Sequence, residues 1–215
     1  MVSHFLSKYI WGSGEQKRQR AALIALSDEM GLNLVKARGL MPDRVIGVVN
    51  GWYVSVSYYQ VFIGFRGAQN FTQFAAYYAQ PIDFNFIIQY GWSLFDRKQK
   101  RFVFQTGGAE IENNYYMKTN DESKFGQFLR HSAWRELLQS EAPVRLVGGA
   151  NRGLDHSELY YHVTNFIYDP QKLKSIIEDL VDTLDHMQKI GFAEAAGDKW
   201  LEKNIFEPIE KGKDR

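Results

Sequence analysis

The chain has 215 residues, 45% hydrophobic and 24% charged, which suits one large soluble domain or two small ones and leaves no room for extensive disorder. Its net charge of +1 gives no electrostatic case for nucleic acid or an anionic membrane, and the absence of cysteine excludes disulfides, thiolate catalysis and cysteine-based zinc sites. Aromatic content is 15%, so the interior is expected to rely on large rings.

In chain order, residues 1–14 read as a leader. Phe5, Leu6, Tyr9 and Ile10 share one helical face before Gly12-Ser13-Gly14 breaks it. That face reads as a short helix docked on the domain, with a partner or membrane-surface anchor over residues 1–11 as the sharper alternative. The segment lacks the long apolar run of a signal peptide, and no stretch approaches the ~20 apolar residues of a membrane helix. Glu15 to Met30 is expected to be helical, with Leu23, Leu26 and Met30 at helical spacing and Gly31 as C-cap.

RVIGVVNGWYVSVSYY comes next as two β-rich runs around Asn50-Gly51, a pair that readily takes the positive φ a two-residue hairpin turn demands. That turn sets Val49 against Trp52, Gly47 against Val54 and Val45 against Val56 on one buried face. Gly47, opposite a valine, marks a close approach by a neighbour. NFTQFAAYYAQ and IDFNFIIQY read as two more strands, and a further pair is expected around 101–105 and 114–119.

Then the period changes. A helix is expected from about Asp121 to Gln139, capped by Asn120 or Thr119, with Phe125, Phe128, Leu129, Trp134, Leu137 and Leu138 buried. PVRLV and ELYYHVTNFIY read as strands joined by GGANRGLDHS. Asp169 and Pro170 open a long helix in which Leu173, Ile177, Leu180, Leu184 and Met187 form an apolar stripe ending near Gly191. Trp200, Leu201 and Ile205 suit a short last helix before a loose tail. Strands cluster instead of alternating with helices, so the expected class is α+β: an antiparallel sheet with helices packed on one face. The expected organisation is one domain over 15–192, with 193–215 forming a short helix and tail.

The stretch nearest to chemistry is LDHSELYYHV. On a strand His156, Glu158 and His162 share a face, as metal ligands do, but Glu158 and His162 stand ~13 Å apart at ~3.3 Å per residue. A polar sheet face is the plainer reading, with a pocket for an organic ligand between the two. Gly148 and Gly153 have phosphate-loop spacing. However, Leu154 and Asp155 stand where its Lys and Ser/Thr belong, and a strand comes after it. Arg152 of that loop remains an anion contact. Glu110 and Glu112 read as surface carboxylates, and His4, His131 and His186 as structural or solvated groups.

GGAEIENNYYMKTNDESKFGQFLRHSAWRELLQ, with the strands and long helix after it, resembles a recurrent pattern in uncharacterised bacterial proteins that share an α+β domain of unknown function. Their pattern runs through a Gly, an "FD" pair, an aromatic strand, an Asp and a Leu-ended helix. Here Ile111-Glu112 stands in the "FD" place, before Tyr115-Tyr116-Met117 and Asp121. The resemblance covers about 107–190, implies a bacterial origin and transfers no activity and no site residue. Those proteins often carry membrane helices, which this chain lacks.

The sequence therefore points to a non-enzymatic binding or assembly domain, cytoplasmic, with no cofactor. Its expected partner is a second copy or another protein, not nucleic acid. The alternative is a small metal-dependent hydrolase built on His156, Glu158 and His162; Arg152 completes the candidate ligand-binding set.

Overall fold

The computed structural model describes residues 13–36, 42–62, 67–90, 115–131, 133–140, 144–150 and 156–196. Helix α1 spans Ser13–Met30. Its Ala, Leu, Gln and Arg residues are good helix formers, and Gly31, at φ +65°, ends it. Ala22, Leu23 and Leu26 are its buried apolar side chains. Strand β1, Asn33–Val35, comes directly after it. Three residues are too few to show alternation, so nothing in the sequence marked it.

The hairpin forms as its turn dictates. Strands β2 (Arg44–Val49) and β3 (Trp52–Phe62) meet through Asn50 at φ 50° and Gly51 at φ 85°, with Val49 opposite Trp52 and Val45 opposite Val56. Gly47 meets Leu32: a Cβ there would stand 2.7 Å from the Leu32 Cδ2. β4, Ala68–Ala79, pairs with β3 from Tyr53↔Tyr77 to Phe62↔Ala68. β5 is Phe86–Tyr90, shorter than expected, because Ile82–Asn85 lies outside the ladder, although Phe84 is fully buried. It pairs with β6, Tyr115–Thr119. The strand expected at 101–105 lies outside the described residues.

The single helix expected over 121–139 is two. α2 is Glu122–Phe128, capped by the Asp121 carboxylate, which accepts from the Lys124 N–H at 3.0 Å; α3 is Ala133–Ser140. The physical reason lies in the phase of the apolar residues. At ~100° per residue, Trp134, Leu137 and Leu138 fall half a turn away from Phe125, Phe128 and Leu129 on a continuous helix. Tightened bonds from Arg130 N to Gln127 O (3.3 Å) and His131 N to Phe128 O (3.4 Å) end the first helix. All six side chains are buried as a result.

β7, Val144–Ala150, and β8, Ser157–Thr164, form a hairpin. Gly148 and Gly149 thus lie in a strand, not in the loop their glycine pair suggests. Gly148 sits opposite Phe86 of β5, where a Cβ would collide with the Phe86 ring, so that ring lies over bare backbone. α4, Pro170–Lys189, is capped by the Asp169 carboxylate, in keeping with the Asp-Pro signal. β9, Glu194–Ala195, pairs with Tyr78 and Ala79 of β4, so the sheet takes in residues beyond 192.

The strands form one sheet in the order β1-β2-β3-β4-β8-β7-β5-β6, every named pair antiparallel. One face supplies Val45, Trp52, Val54, Val56, Tyr58, Phe74, Ala76, Leu146, Leu159, Tyr161 and Val163 to a core shared with all four helices. The fold is therefore α+β, an antiparallel sheet with helices on one face. At ~1.5–3 kcal/mol for each fully buried large side chain, this face dominates the stabilising terms. Two of its polar side chains find partners inside: the Trp52 indole N–H donates to Asp185 Oδ1 at 2.6 Å, and the Tyr58 hydroxyl donates to the Ile167 carbonyl at 2.5 Å. Helices α1 and α4 are tied by Glu29, which takes Lys174 Nζ at 3.1 Å and the Gln171 amide.

Two glycines should behave oppositely. Gly148→Ala drives a methyl into the Phe86 ring and should cost ~1–3 kcal/mol of unfolding free energy, as overpacking does. Gly126→Ala in α2 meets nothing within 4 Å and should stabilise by ~0.5–1 kcal/mol. Urea denaturation of both variants checks the pair.

Candidate functional site

The opposite sheet face carries no described helix, and it is where the singled-out strand side chains lie. Register arranges them in rows. Tyr53 stands opposite Tyr77, and Tyr77 opposite Glu158. One step on, Ser55 faces Ala75 and Ala75 faces Tyr160; a further step brings Gln73, His162 and Arg145 abreast. Strands β3, β4, β7 and β8 thus lay tyrosine, carboxylate, guanidinium and imidazole groups on one surface. Ile46 of β2 borders it, packed by Val35, Tyr53, Tyr77 and Ala196.

His156 is the residue before β8, and its Nε2 lies 3.1 Å from Glu158 Oε1. Both are buried, at 7% and 5% exposure. The expectation of a solvated polar face therefore fails for this pair. A buried carboxylate needs partners to offset its lost hydration, and Glu158 has them in His156 and the Tyr160 hydroxyl. The Tyr77 ring packs against the His156 ring with centroids 5.6 Å apart, and its hydroxyl meets Ser55 Oγ at 3.3 Å. Burial pushes the Tyr77 phenol up. Tyr160 is also raised, by burial first and then by its bond to the Glu158 carboxylate. Both phenols remain protonated across the physiological range.

His162 belongs to a different group. Its Nδ1 is hydrogen-bonded to the Tyr59 hydroxyl, and Tyr59 stacks on Phe71 at 5.1 Å. Burial, and secondarily the Arg145 guanidinium on the neighbouring strand, lower its pKa to about 4. The imidazole is therefore neutral at pH 7.

So the structure brings His156 and Glu158 together and gives His162 to Tyr59. Among the described residues no group of three or more His, Asp or Glu side chains is placed to hold a metal ion. Arg152, Glu110, Glu112 and His4 lie outside the described residues. His131 and His186, read separately in the sequence, stack with ring centroids 4.3 Å apart between the α2–α3 link and α4; burial and then His131 lower His186. Sequence reasoning missed Tyr59, Tyr77 and Ser55. The alternation of β3 marks Ser55 and Tyr59 as lying away from the helices, but only the β4–β8 register sets Tyr77 beside Glu158.

No family model, curated protein or solved structure matches the chain.

The His162 environment fixes a pH dependence. The folded chain resists protonation until about 4, whereas the unfolded chain takes up a proton near 6.5. Below 6.5 the proton thus favours the unfolded state, and stability falls as pH drops toward 4, then levels off. By pH 5 the loss from this residue should reach ~2 kcal/mol. His162→Gln should remove that part of the difference between urea midpoints at pH 7 and pH 5. An unchanged difference would show that the imidazole protonates freely in the fold.

Proposed function

We propose that the chain is a non-enzymatic binding or assembly domain whose helix-free sheet face receives its partner. The observation that carries this reading is the asymmetry of the sheet. One face is sealed by helices, while the other presents tyrosines, a buried His–Glu pair and exposed Val48 and Val61. Tyrosine offers a large, rigid contact surface with a hydrogen-bonding tip, the composition favoured at protein interfaces. No helix of the described residues is long and apolar enough to cross a membrane.

The alternative, a metal-dependent hydrolase, requires His156, Glu158 and His162 to converge on one ion. The engagement of His162 with Tyr59 weighs against it.

Two measurements test the proposal. Metal analysis of the purified protein should find no stoichiometric metal. Stoichiometric metal lost in both His156→Ala and His162→Ala would overturn the reading in favour of the hydrolase. Hydrogen exchange across a dilution series should show concentration-dependent protection on β3, β4 and β8 if the partner is a second copy. Val48→Asp with Val61→Asp should weaken that association at least tenfold. Association untouched by these substitutions would place the interface elsewhere.

A further inference from the structure

One row of the helix-free face differs from its neighbours. Ser57, Gln73, His162, Arg145 and Gln89 stand abreast on β3, β4, β8, β7 and β5, each opposite the next in register. At four strand spacings the row is roughly 19 Å long. Every side chain in it carries a hydrogen-bonding group, and none is a carboxylate. The row on one flank is largely apolar, with Ala75, Val147 and Ile87 beside Ser55 and Tyr160. On the other flank Tyr59 stacks on Phe71. The row is thus a polar track between less polar banks.

Its charge is unbalanced. Arg145 is exposed, and among the described residues no carboxylate pairs with it. Glu158 on the same face is enclosed with His156, and it lies ~13 Å along β8 from His162. The groups about His162 are Tyr59 on β3, Gln73 on β4, Tyr160 on its own strand and Arg145 on β7. Both phenols and the ring itself are neutral near pH 7, so none of them balances the guanidinium. A guanidinium takes an oxyanion through two parallel N–H groups, and poorly polar surroundings strengthen such a bond.

We propose that Arg145 is an oxyanion-binding residue, and that the ligand of this face presents a carboxylate or phosphate group to it. This rests on the reading of that face as a binding surface and adds the charge of what it binds. The Arg145 fork takes the anion, and the amides of Gln73 and Gln89 flank the Arg145–His162 pair as further donors. The anion also acts on His162. After burial, Arg145 is the second cause that holds this ring near 4, so a bound anion that neutralises the guanidinium makes the ring easier to protonate.

Sulfate and propionate serve as probes, one tetrahedral like a phosphate and one planar, each compared with chloride at equal ionic strength. The chain has five histidines, so ring NMR signals can be assigned by substituting each in turn. At pH 7 a probe should shift the His162 signals saturably. In sulfate, which stays ionised as the pH is lowered from 7, protonation of His162 should set in about 0.5 or more higher in pH than in chloride. Arg145→Gln should weaken probe binding about tenfold or more, and Arg145→Lys, which keeps the charge but loses the fork, should weaken it severalfold. Tighter binding of sulfate assigns the site to a phosphate group, and tighter binding of propionate to a carboxylate. Shifts that do not saturate, that chloride reproduces, or that survive Arg145→Gln would each overturn the proposal. The probes are read on the free protein. An absent anion site therefore leaves the association measured by hydrogen exchange intact, and that association can fail while the anion still binds.

Discussion

The ladder between β4 and β8 is the constraint on which the molecule depends. It joins residues 72–78 to 157–163, and so welds a meander of β1 to β4 to a second unit of β5 to β8. Closing so long a loop carries an entropic cost that grows only slowly with length, and it is repaid along two faces at once. On the inner face Phe74 meets Tyr161 and Ala76 meets Leu159 beneath the helices. On the outer face Tyr77 meets Glu158 and Gln73 meets His162. The junction is pinned at its end by Thr72, whose hydroxyl donates to the Asn165 carbonyl at 2.8 Å and accepts the Ile167 N–H at 2.9 Å. These bonds anchor the turn that sends the chain from β8 into α4.

Legibility in the sequence followed locality. The β2–β3 register could be read because Asn50-Gly51 fixes it within a few residues on either side. The start of α4 could be read because Asp169 and Pro170 are capping chemistry on adjacent positions. The break between α2 and α3 was also legible in principle, since the buried residues before and after His131 are half a turn out of phase. Counting apolar residues without following their angle concealed it. The strand assignment of Gly148 was not legible: glycine pairs usually signal a turn, and here the space is claimed by Phe86, far earlier in the chain. The site divides the same way. Alternation along β8 placed Glu158, Tyr160 and His162 on one face. The pairing of His156 with Glu158, and of His162 with Tyr59, depends on strands that the sequence does not order.

The outer face combines two different electrostatic solutions. Around Glu158, charge is accommodated by close polar partners, and the tyrosines there stay protonated. Around His162, charge is avoided, because burial and the neighbouring Arg145 keep the ring neutral. A surface of protonated phenols, a neutral His162 ring and an enclosed His156–Glu158 pair, bordered by Arg145, is suited to lasting contact. That contrast, more than any single residue, supports the binding interpretation over a hydrolytic one.

The borders of the sheet carry a further consequence. Among the described residues the flanking strands are β1, three residues long, and β6, five residues long and bearing Lys118. Brief margins, one of them bearing a lysine, make poor templates for lateral growth by backbone pairing. Any stacking of copies would therefore proceed broadside through side chains, giving closed pairs in preference to open ribbons.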